Sequence, residues 1–408
     1  MTPKRSISDL AALGGIPAFA SPLHVGRPHP VDRSRLLARI EDLLDRRWLT
    51  NGGPYVQQLE RQVATQLGVR HCVATCNGTA ALEIMIRAAG LQGEVIVPAF
   101  TFVATPHAIR WLGLTPVFCD IDPHTHAIDP AAVERLISPQ TTAIMGVHIW
   151  GQACPIEELA AIAERQGIAL VFDAAQAFGN LHRGRCLGSF GTAEAVSFHA
   201  TKTVSTFEGG AILTDNDRLA DRARRMRNFG LGDDDQAEMV GTNAKMSEVA
   251  AAMGVTMLEQ MDDLFAANRA VYRQYAAELH GIPGVQFFEY DADVRNPQYV
   301  VVELEQEVIG LSRDTILSLL RAENVLARRY FFPGCHRLMP YRSLDPQTRA
   351  QLPVTDAVAD RVLCLPTGGG LSAPEVAGVC ALLRFVVANA AAVSTQLGKD
   401  KLPAGGKP

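Results

Sequence analysis

The hydrophobic positions of residues 70–215 fall into short continuous runs, separated by longer amphipathic stretches. Apolar runs without alternating polar positions are typical of strands that are buried on both faces of a sheet. The runs predict strands at 71–75, 94–98, 115–121, 142–149, 169–172, 194–198 and 210–214. Helical periodicity at 80–89, 105–111, 131–137 and 156–166 alternates with them. This rhythm predicts an α/β fold with a mainly parallel central sheet and helices on both faces.

The pattern changes after residue 261, where a long polar helix to 279 precedes a strand at 298–304 and helices at 313–323 and 374–388. A second, smaller α+β domain is expected here. We therefore predict an N-terminal arm (1–45), a large domain (46–260), a small C-terminal domain (261–392) and a flexible tail (393–408), whose Gly, Pro and Lys content favours disorder.

Composition narrows the function classes. The 408 residues are 48% hydrophobic, and 38 basic against 43 acidic side chains give a net charge of -5, which argues against a nucleic-acid partner. The longest apolar runs fall short of a membrane span. Lys4-Arg5 and the apolar residues after them imitate a signal peptide, although Asp9 and Pro17 weaken that interpretation. Eight scattered cysteines favour reduced thiols in a cytoplasmic protein, and we predict no metal site.

Polar residues that could bind a ligand or take part in catalysis follow several predicted strands, at the sheet edge where open α/β folds bind ligands. Asn77-Gly78-Thr79 links a strand to a helix, whose first N–H groups could bind a phosphate. An ordinary helix cap is the alternative. Asp173 ends an apolar strand, where a carboxylate needs a cation unless it serves as a cap.

Lys202 lies shortly after Ser197 and the next strand. At this edge desolvation would favour a neutral, nucleophilic amine, although an isolated lysine is more often a surface residue. A phosphate cradle, a buried acid to pair with a ring nitrogen and a lysine able to form a Schiff base are the parts of a pyridoxal phosphate site.

Several motifs in order resemble the nucleotide-sugar aminotransferases of the DegT/StrS type, which are fold-type I enzymes. The similarity extends over about residues 45–390 and includes the following segments: 48–53 (WLTNGG), 77–82 (NGTAAL), 98–105 (PAFTFVAT), 172–176 (FDAAQ), 197–202 (SFHATK), 208–210 (EGG), 241–243 (GTN) and 245–248 (KMSE).

The resemblance implies a role for each matching residue. Lys202 would hold the cofactor and later move protons, and Asp173 would keep the pyridine nitrogen protonated. Gln176 would lie near the ring hydroxyl, and Phe102 would stack on the ring.

The family also implies how the phosphate is held. Gly78, Thr79 and the Ser197 hydroxyl would bind it together with Asn243 of a neighbouring subunit, so a homodimer with shared active sites is expected. Lys245 stands where many relatives carry an arginine, which leaves that local contact open.

The implied reaction moves an amino group from L-glutamate to a nucleotide-linked keto-deoxysugar. The segments 197–202 and 330–341 are similar to the branch that acts at C4 of TDP-4-keto-6-deoxyglucose in deoxyaminosugar and antibiotic biosynthesis. A C3 aminotransferase acting on a TDP-3-keto sugar is the alternative. Two other classes are alternatives. A nicotinamide-dependent oxidoreductase would need a Gly-x-Gly-x-x-Gly after the first strand, which the sequence does not have, and a non-catalytic regulator would lack Lys202 or Asp173.

Overall fold

The computed structural model describes residues 2–291, 294–343 and 352–399. Its strands are β1 Leu23–His24, β2 His71–Thr75, β3 Glu94–Pro98, β4 Thr115–Cys119, β5 Thr141–Val147, β6 Ala169–Asp173, β7 Leu181–His182, β8 Arg185–Cys186, β9 Ala193–Ser197, β10 Gly210–Thr214, β11 Val285–Phe287, β12 Val300–Leu304, β13 Val325–Leu326 and β14 Val362–Leu365. Its α-helices are α1 Arg33–Arg46, α2 Pro54–Leu67, α3 Gly78–Ala88, α4 Ala104–Trp111, α5 Pro130–Leu136, α6 Ile156–Gln166, α7 Asp217–Met226, α8 Glu248–Leu258, α9 Met261–Leu279, α10 Gln306–Ile309, α11 Arg313–Ala322, α12 Met339–Arg342, α13 Pro353–Arg361, α14 Ala373–Ala388 and α15 Ala390–Lys399.

A seven-stranded sheet in the order β2-β10-β9-β6-β5-β3-β4 forms the centre of the first part of the chain. Only the pairings of β10 within it are antiparallel. Successive residues of one strand belong to different hydrophobic clusters: Ile144 packs into one, while Ala143 and Met145 pack into the other. The sheet is therefore covered on both faces, and the predicted α/β class is confirmed.

A smaller antiparallel sheet, β11-β12-β14, lies in the second part of the chain. Its strands contribute Val302 and Leu363 to a third hydrophobic cluster, which also contains Ile316 of α11 and Val379 of α14. The proposed domain boundary near residue 260 falls between α8 and α9.

The C-terminal helices correct one expectation. The tail predicted to be flexible from residue 393 is helical as far as Lys399, because fully buried Val393 anchors α15 in the third cluster. Residues 400–408 lie outside the described residues. No single described helix is long and apolar enough to cross a membrane, and α14 with α15 reaches that length and composition only across a 73° bend.

The buried carboxylate of Glu323, just after α11, links the N-terminal arm to the second part of the chain. Glu323 forms an ion pair with Lys4 at 2.7 Å and accepts hydrogen bonds from the N–H groups of Ala11 and Ala18. Lys4, one of the two basic residues in the segment that imitates a signal peptide, therefore has its side chain buried in an ion pair. The arm then runs past β13 and brings Val25 to the edge of the large sheet.

Candidate active site

Three strand ends and one strand start meet at a single edge of the large sheet. The start of β10 lies between the ends of β2 and β9, with Gly210 paired to both Thr75 and Ser197. A Cβ atom on Gly210 would lie 2.7 Å from the backbone of Asn77. Glycine is therefore required here for β10 to pass close to the start of α3, which explains the second glycine of the Glu-Gly-Gly motif.

The first turn of α3 forms one wall of this edge. Asn77 caps the helix, since its Oδ1 accepts a hydrogen bond from Ala80 N at 2.8 Å. Gly78 and Thr79 begin the helix, where N–H groups precede the intrahelical ladder and favour an anion. A Cβ on Gly78 would lie 3.0 Å from Cβ of Ser197, so the glycine keeps the helix start close to the Ser197 side chain. The capping and phosphate-binding interpretations are therefore compatible.

Asp173 ends β6 with a buried carboxylate. Its Oδ2 accepts a hydrogen bond from Thr105 Oγ1 at 2.7 Å, and its Oδ1 accepts one from Ala175 N at 3.0 Å. Desolvation nevertheless raises the pKa of Asp173 above its ordinary value, against the opposing effects of these bonds and of the Lys202 charge. A further cation in the cavity would stabilise the ionised carboxylate, and a protonated ring nitrogen is such a cation.

Lys202 follows β9 and turns its amine into the same cavity. Its Nζ lies 3.1 Å from Oη of Tyr299. Desolvation lowers the pKa of Lys202 to about 8, while the Asp173 charge opposes that effect. A larger share of the amine is therefore neutral near pH 7 than for an exposed lysine, as a nucleophile requires.

Gln176 and Phe102 also line the cavity. The side-chain Oε1 of Gln176 accepts a hydrogen bond from Trp150 N at 2.7 Å, which fixes the side chain. Phe102 is 56% exposed and its ring lies 6.5 Å from that of Phe331. An exposed aromatic side chain at a cavity wall is available for stacking, whereas a side chain buried in the core would not be.

Asn243 is the one predicted site residue that the structure does not bring to this cavity. It is exposed and forms an antiparallel bridge with Asn228. Nearby Lys245 donates a hydrogen bond to Asn228 Oδ1 at 2.8 Å, and its Nζ lies 4.5 Å from the centre of the Phe229 ring. The lysine at the position of the expected arginine thus has local partners within its own chain.

The cavity has a volume of about 390 Å³ and contains residues that sequence reasoning missed. The sequence patterns predict no role for Tyr299 or Arg328, and Tyr330 and Phe331 belong to the segment 330–341 without an individual role. All four come from the second part of the chain, far from the cofactor motifs in sequence. Their neighbours in sequence do not indicate that they lie at the cavity, because the tertiary fold brings them there.

These residues fit pyridoxal phosphate. The helix start at Gly78 and the Ser197 hydroxyl could bind its phosphate, Asp173 could pair with its ring nitrogen, and Lys202 could react with its aldehyde. All four residues line one cavity. Among the described residues, no group of three or more His, Cys, Asp or Glu side chains could hold a metal ion. Fold and site together define a fold-type I, pyridoxal-phosphate-dependent transferase.

Comparisons with known proteins narrow the class. Residues 30–384 match the DegT/DnrJ/EryC1/StrS aminotransferase family. The chain is 34% identical over 360 residues to dTDP-4-amino-4,6-dideoxy-D-glucose transaminase of Escherichia coli, covering 88% of this chain and 97% of the relative. It is 32% identical over 345 residues to GDP-perosamine synthase of Vibrio cholerae, covering 84% of this chain and 93% of that protein.

Solved structures agree. The crystal structure of DesI in the presence of its TDP-sugar product has a TM-score of 0.93 at 47% identity, covering 97% of this chain and 100% of that one. That of S. venezuelae DesV in complex with a ketimine intermediate has a TM-score of 0.81 at 29% identity, covering 88% and 99%. The chain belongs to the DegT/DnrJ/EryC1/StrS aminotransferase family. The predicted fold type, enzyme class and cofactor are thereby confirmed, and the alternatives of an oxidoreductase and a non-catalytic regulator are not supported.

The charges of the site make a prediction about Lys202. Asp173→Asn removes the negative charge that favours the ammonium form, so the pKa of Lys202 should fall below about 8, by roughly one pH unit. The pH dependence of Lys202 modification by an amine-reactive reagent, followed by mass spectrometry of the cofactor-free protein, measures this. Asp217→Asn, at an exposed aspartate, is the matched control. A midpoint that stays or rises in Asp173→Asn contradicts the assignment.

Proposed function

We propose that this enzyme transfers an amino group from L-glutamate to C4 of TDP-4-keto-6-deoxyglucose, in deoxyaminosugar biosynthesis of the kind that serves antibiotic production. The observation that carries the proposal is the likeness to DesI over nearly the whole chain, together with Lys202 and Asp173 on one cavity. DesI was solved with a TDP-sugar product, and the E. coli relative is named for an amino group at C4 of a TDP sugar.

The proposed chemistry divides between the cofactor and the chain. Pyridoxal phosphate, when bound, supplies an aldehyde for the amino group and a ring that accepts electrons. Lys202 would hold the cofactor through Nζ and, once released, would accept a proton from the α-carbon of the donor and hold it at Nζ. The donor would leave as its 2-oxo acid, with water supplying the new carbonyl oxygen. The keto sugar would then take up the amino group and release its carbonyl oxygen as water.

The other cavity residues bind and orient. Asp173 would stabilise a proton on the ring nitrogen, because burial makes its negative charge costly and a nearby cation offsets that cost. Gly78, Thr79 and Ser197 bind the phosphate through N–H and O–H groups, Phe102 stacks on the ring, and Gln176 lies near the ring hydroxyl.

We further propose a homodimer in which Asn243 of one subunit completes the phosphate site of the other. Asn243 is exposed and lies outside its own chain's cavity, in a region that also exposes large apolar side chains. Val240 is 93% exposed and Phe229 is 50% exposed. Phe229 lies beside Asn243, because its N–H donates a hydrogen bond to Thr242 O. The exposed apolar side chains beside Asn243 support the proposal that a second subunit covers this region.

The proposed compartment is the cytoplasm. All eight cysteines are free thiols, and six of them are buried. Burial raises the pKa of fully buried thiols such as Cys72, which favours the inert thiol form over the thiolate. This usage is typical of a protein that folds in a reducing compartment.

Regiochemistry and nucleotide preference are tested together. The enzyme loaded with pyridoxal phosphate is given L-glutamate and a panel of TDP-4-keto, TDP-3-keto and GDP-4-keto deoxysugars, and the new C–N bond is located by NMR. We expect amination of the TDP-4-keto sugar at C4. Amination at C3 would support the alternative, and exclusive use of the GDP sugar would overturn the nucleotide assignment.

Shared active sites are tested by subunit complementation. Lys202→Ala and Asn243→Ala should each be nearly inactive as homodimers. Co-refolding them in equal amounts creates hybrids in which one site has both native residues, so about a quarter of wild-type activity should return. Activity that stays at the level of the separate variants contradicts the shared site, and co-refolding each variant with itself is the control.

A further inference from the structure

Tyr299 contacts the reactive lysine from the second part of the chain. Its Oη lies 3.1 Å from Nζ of Lys202, and the amine also lies 5.7 Å from the centre of the phenol ring. Within the described residues, this is the hydrogen bond that the Lys202 amine makes. Neither the cofactor motifs nor the family resemblance assigned a role to this tyrosine.

Both the backbone and the ring of Tyr299 have packing or hydrogen-bonding partners. The backbone oxygen of Tyr299 accepts a hydrogen bond from Tyr290 Oη at 3.0 Å, and its ring packs edge-on against Trp150 with 5.7 Å between ring centres. The preceding residue, Gln298, donates through its side chain to Gln176 O at 2.8 Å. The hydrogen bonds fix the backbone on both sides of the residue, and the Trp150 ring packs against the phenol itself.

The chain next to Lys202 is hydrogen-bonded to the segment that carries Tyr299. Thr203, next to Lys202 in sequence, lies with its Oγ1 3.1 Å from Asn296 Oδ1 and 3.3 Å from Gln298 Oε1. Asn268 of α9 donates to both Thr203 Oγ1 and Asn296 Oδ1. All four side chains are buried, so residues 296–299 form one rigid connection between the small sheet and the loop of residues 198–209, called the lysine loop below.

The charge state of the phenol decides what it can do. Burial raises the pKa of Tyr299 further above its ordinary value, so the hydroxyl stays neutral. A neutral hydroxyl accepts a hydrogen bond from an ammonium group and donates one to a neutral amine. A carboxylate in this position would favour the ammonium form alone.

The other ionisable groups around the amine do not duplicate this contact. Asp173 approaches from β6 and raises the pKa of Lys202 through its charge. His199 and Glu208 lie on the lysine loop, and Arg328 and Tyr330 line the wall formed by the second part of the chain. Tyr299 is the group among these at hydrogen-bonding distance from Nζ.

We propose that Tyr299 is a catalytic residue that holds the Lys202 amine in both protonation states and keeps it oriented while it accepts and returns a proton. The inference rests on the proposed aminotransferase function and adds a residue to it. Orientation matters because a proton-transfer group must stay within hydrogen-bonding reach of the atom it serves.

The first test uses the cofactor-free, full-length protein. In Tyr299→Phe the pH at which half of Lys202 reacts with an amine-reactive reagent should fall by about one pH unit, because a hydrogen bond stabilises the ammonium form more than the neutral amine. Tyr275→Phe is the matched control: it removes one hydrogen bond of a buried tyrosine, to Pro366 O, outside the cavity. Labelling of Lys245 in the same digests serves as the internal reference.

The second test uses the loaded enzyme. In a single turnover with L-glutamate, Tyr299→Phe should react about ten- to a hundredfold more slowly, because the proton-transfer group is less well oriented. The L-glutamate concentration that gives half of the maximal rate should stay nearly unchanged. Tyr275→Phe should retain the wild-type rate at temperatures where it is folded.

The two tests separate the claims. A wild-type labelling midpoint and rate in Tyr299→Phe, or equal changes in Tyr275→Phe, would overturn the role of Tyr299. Wild-type protein that binds no pyridoxal phosphate or transfers no amino group would instead overturn the proposed function. The labelling test still judges the Lys202–Tyr299 contact in that case.

Discussion

The active site depends on placing a carboxylate and an amine out of water in one cavity. Burial favours the neutral form of both groups: it raises the pKa of Asp173 and lowers that of Lys202. Each charge partly relieves the other, so neither group is driven fully to its neutral form. A bound cofactor with a protonated ring nitrogen supplies the further cation that Asp173 needs and leaves Lys202 free to act as a nucleophile and proton carrier.

The sheet topology makes this placement possible. Parallel order brings the ends of β6 and β9 to one edge, and antiparallel β10 returns to the same edge with a glycine that fits against the start of α3. The phosphate cradle, the acid and the lysine are thus products of strand order. The second part of the chain supplies the opposite wall, with Tyr299, Arg328 and Tyr330, and links it to the lysine loop through buried amides.

Sequence reasoning succeeded where a residue's role depends on its neighbours along the chain. Asp173, Ser197 and Lys202 could be placed because each follows a run of apolar residues that is recognisable as a buried strand. Tyr299 could not be found in this way, because its partner is 97 residues away in sequence. Val393 also escaped, since the composition of the tail suggested disorder, whereas Val393 is buried in the third hydrophobic cluster. The position of Asn243 outside the cavity is consistent with its proposed use by a second subunit, which no single chain reveals.

The central claim is that Lys202 carries the cofactor in this cavity. Reduction of the pyridoxal-phosphate-loaded enzyme with borohydride, followed by peptide mass spectrometry, tests it most directly. The account predicts that the pyridoxyl group is fixed to Lys202 and that Lys202→Ala incorporates none at equal cofactor concentration. Incorporation at another lysine, or equal incorporation in Lys202→Ala, would contradict it.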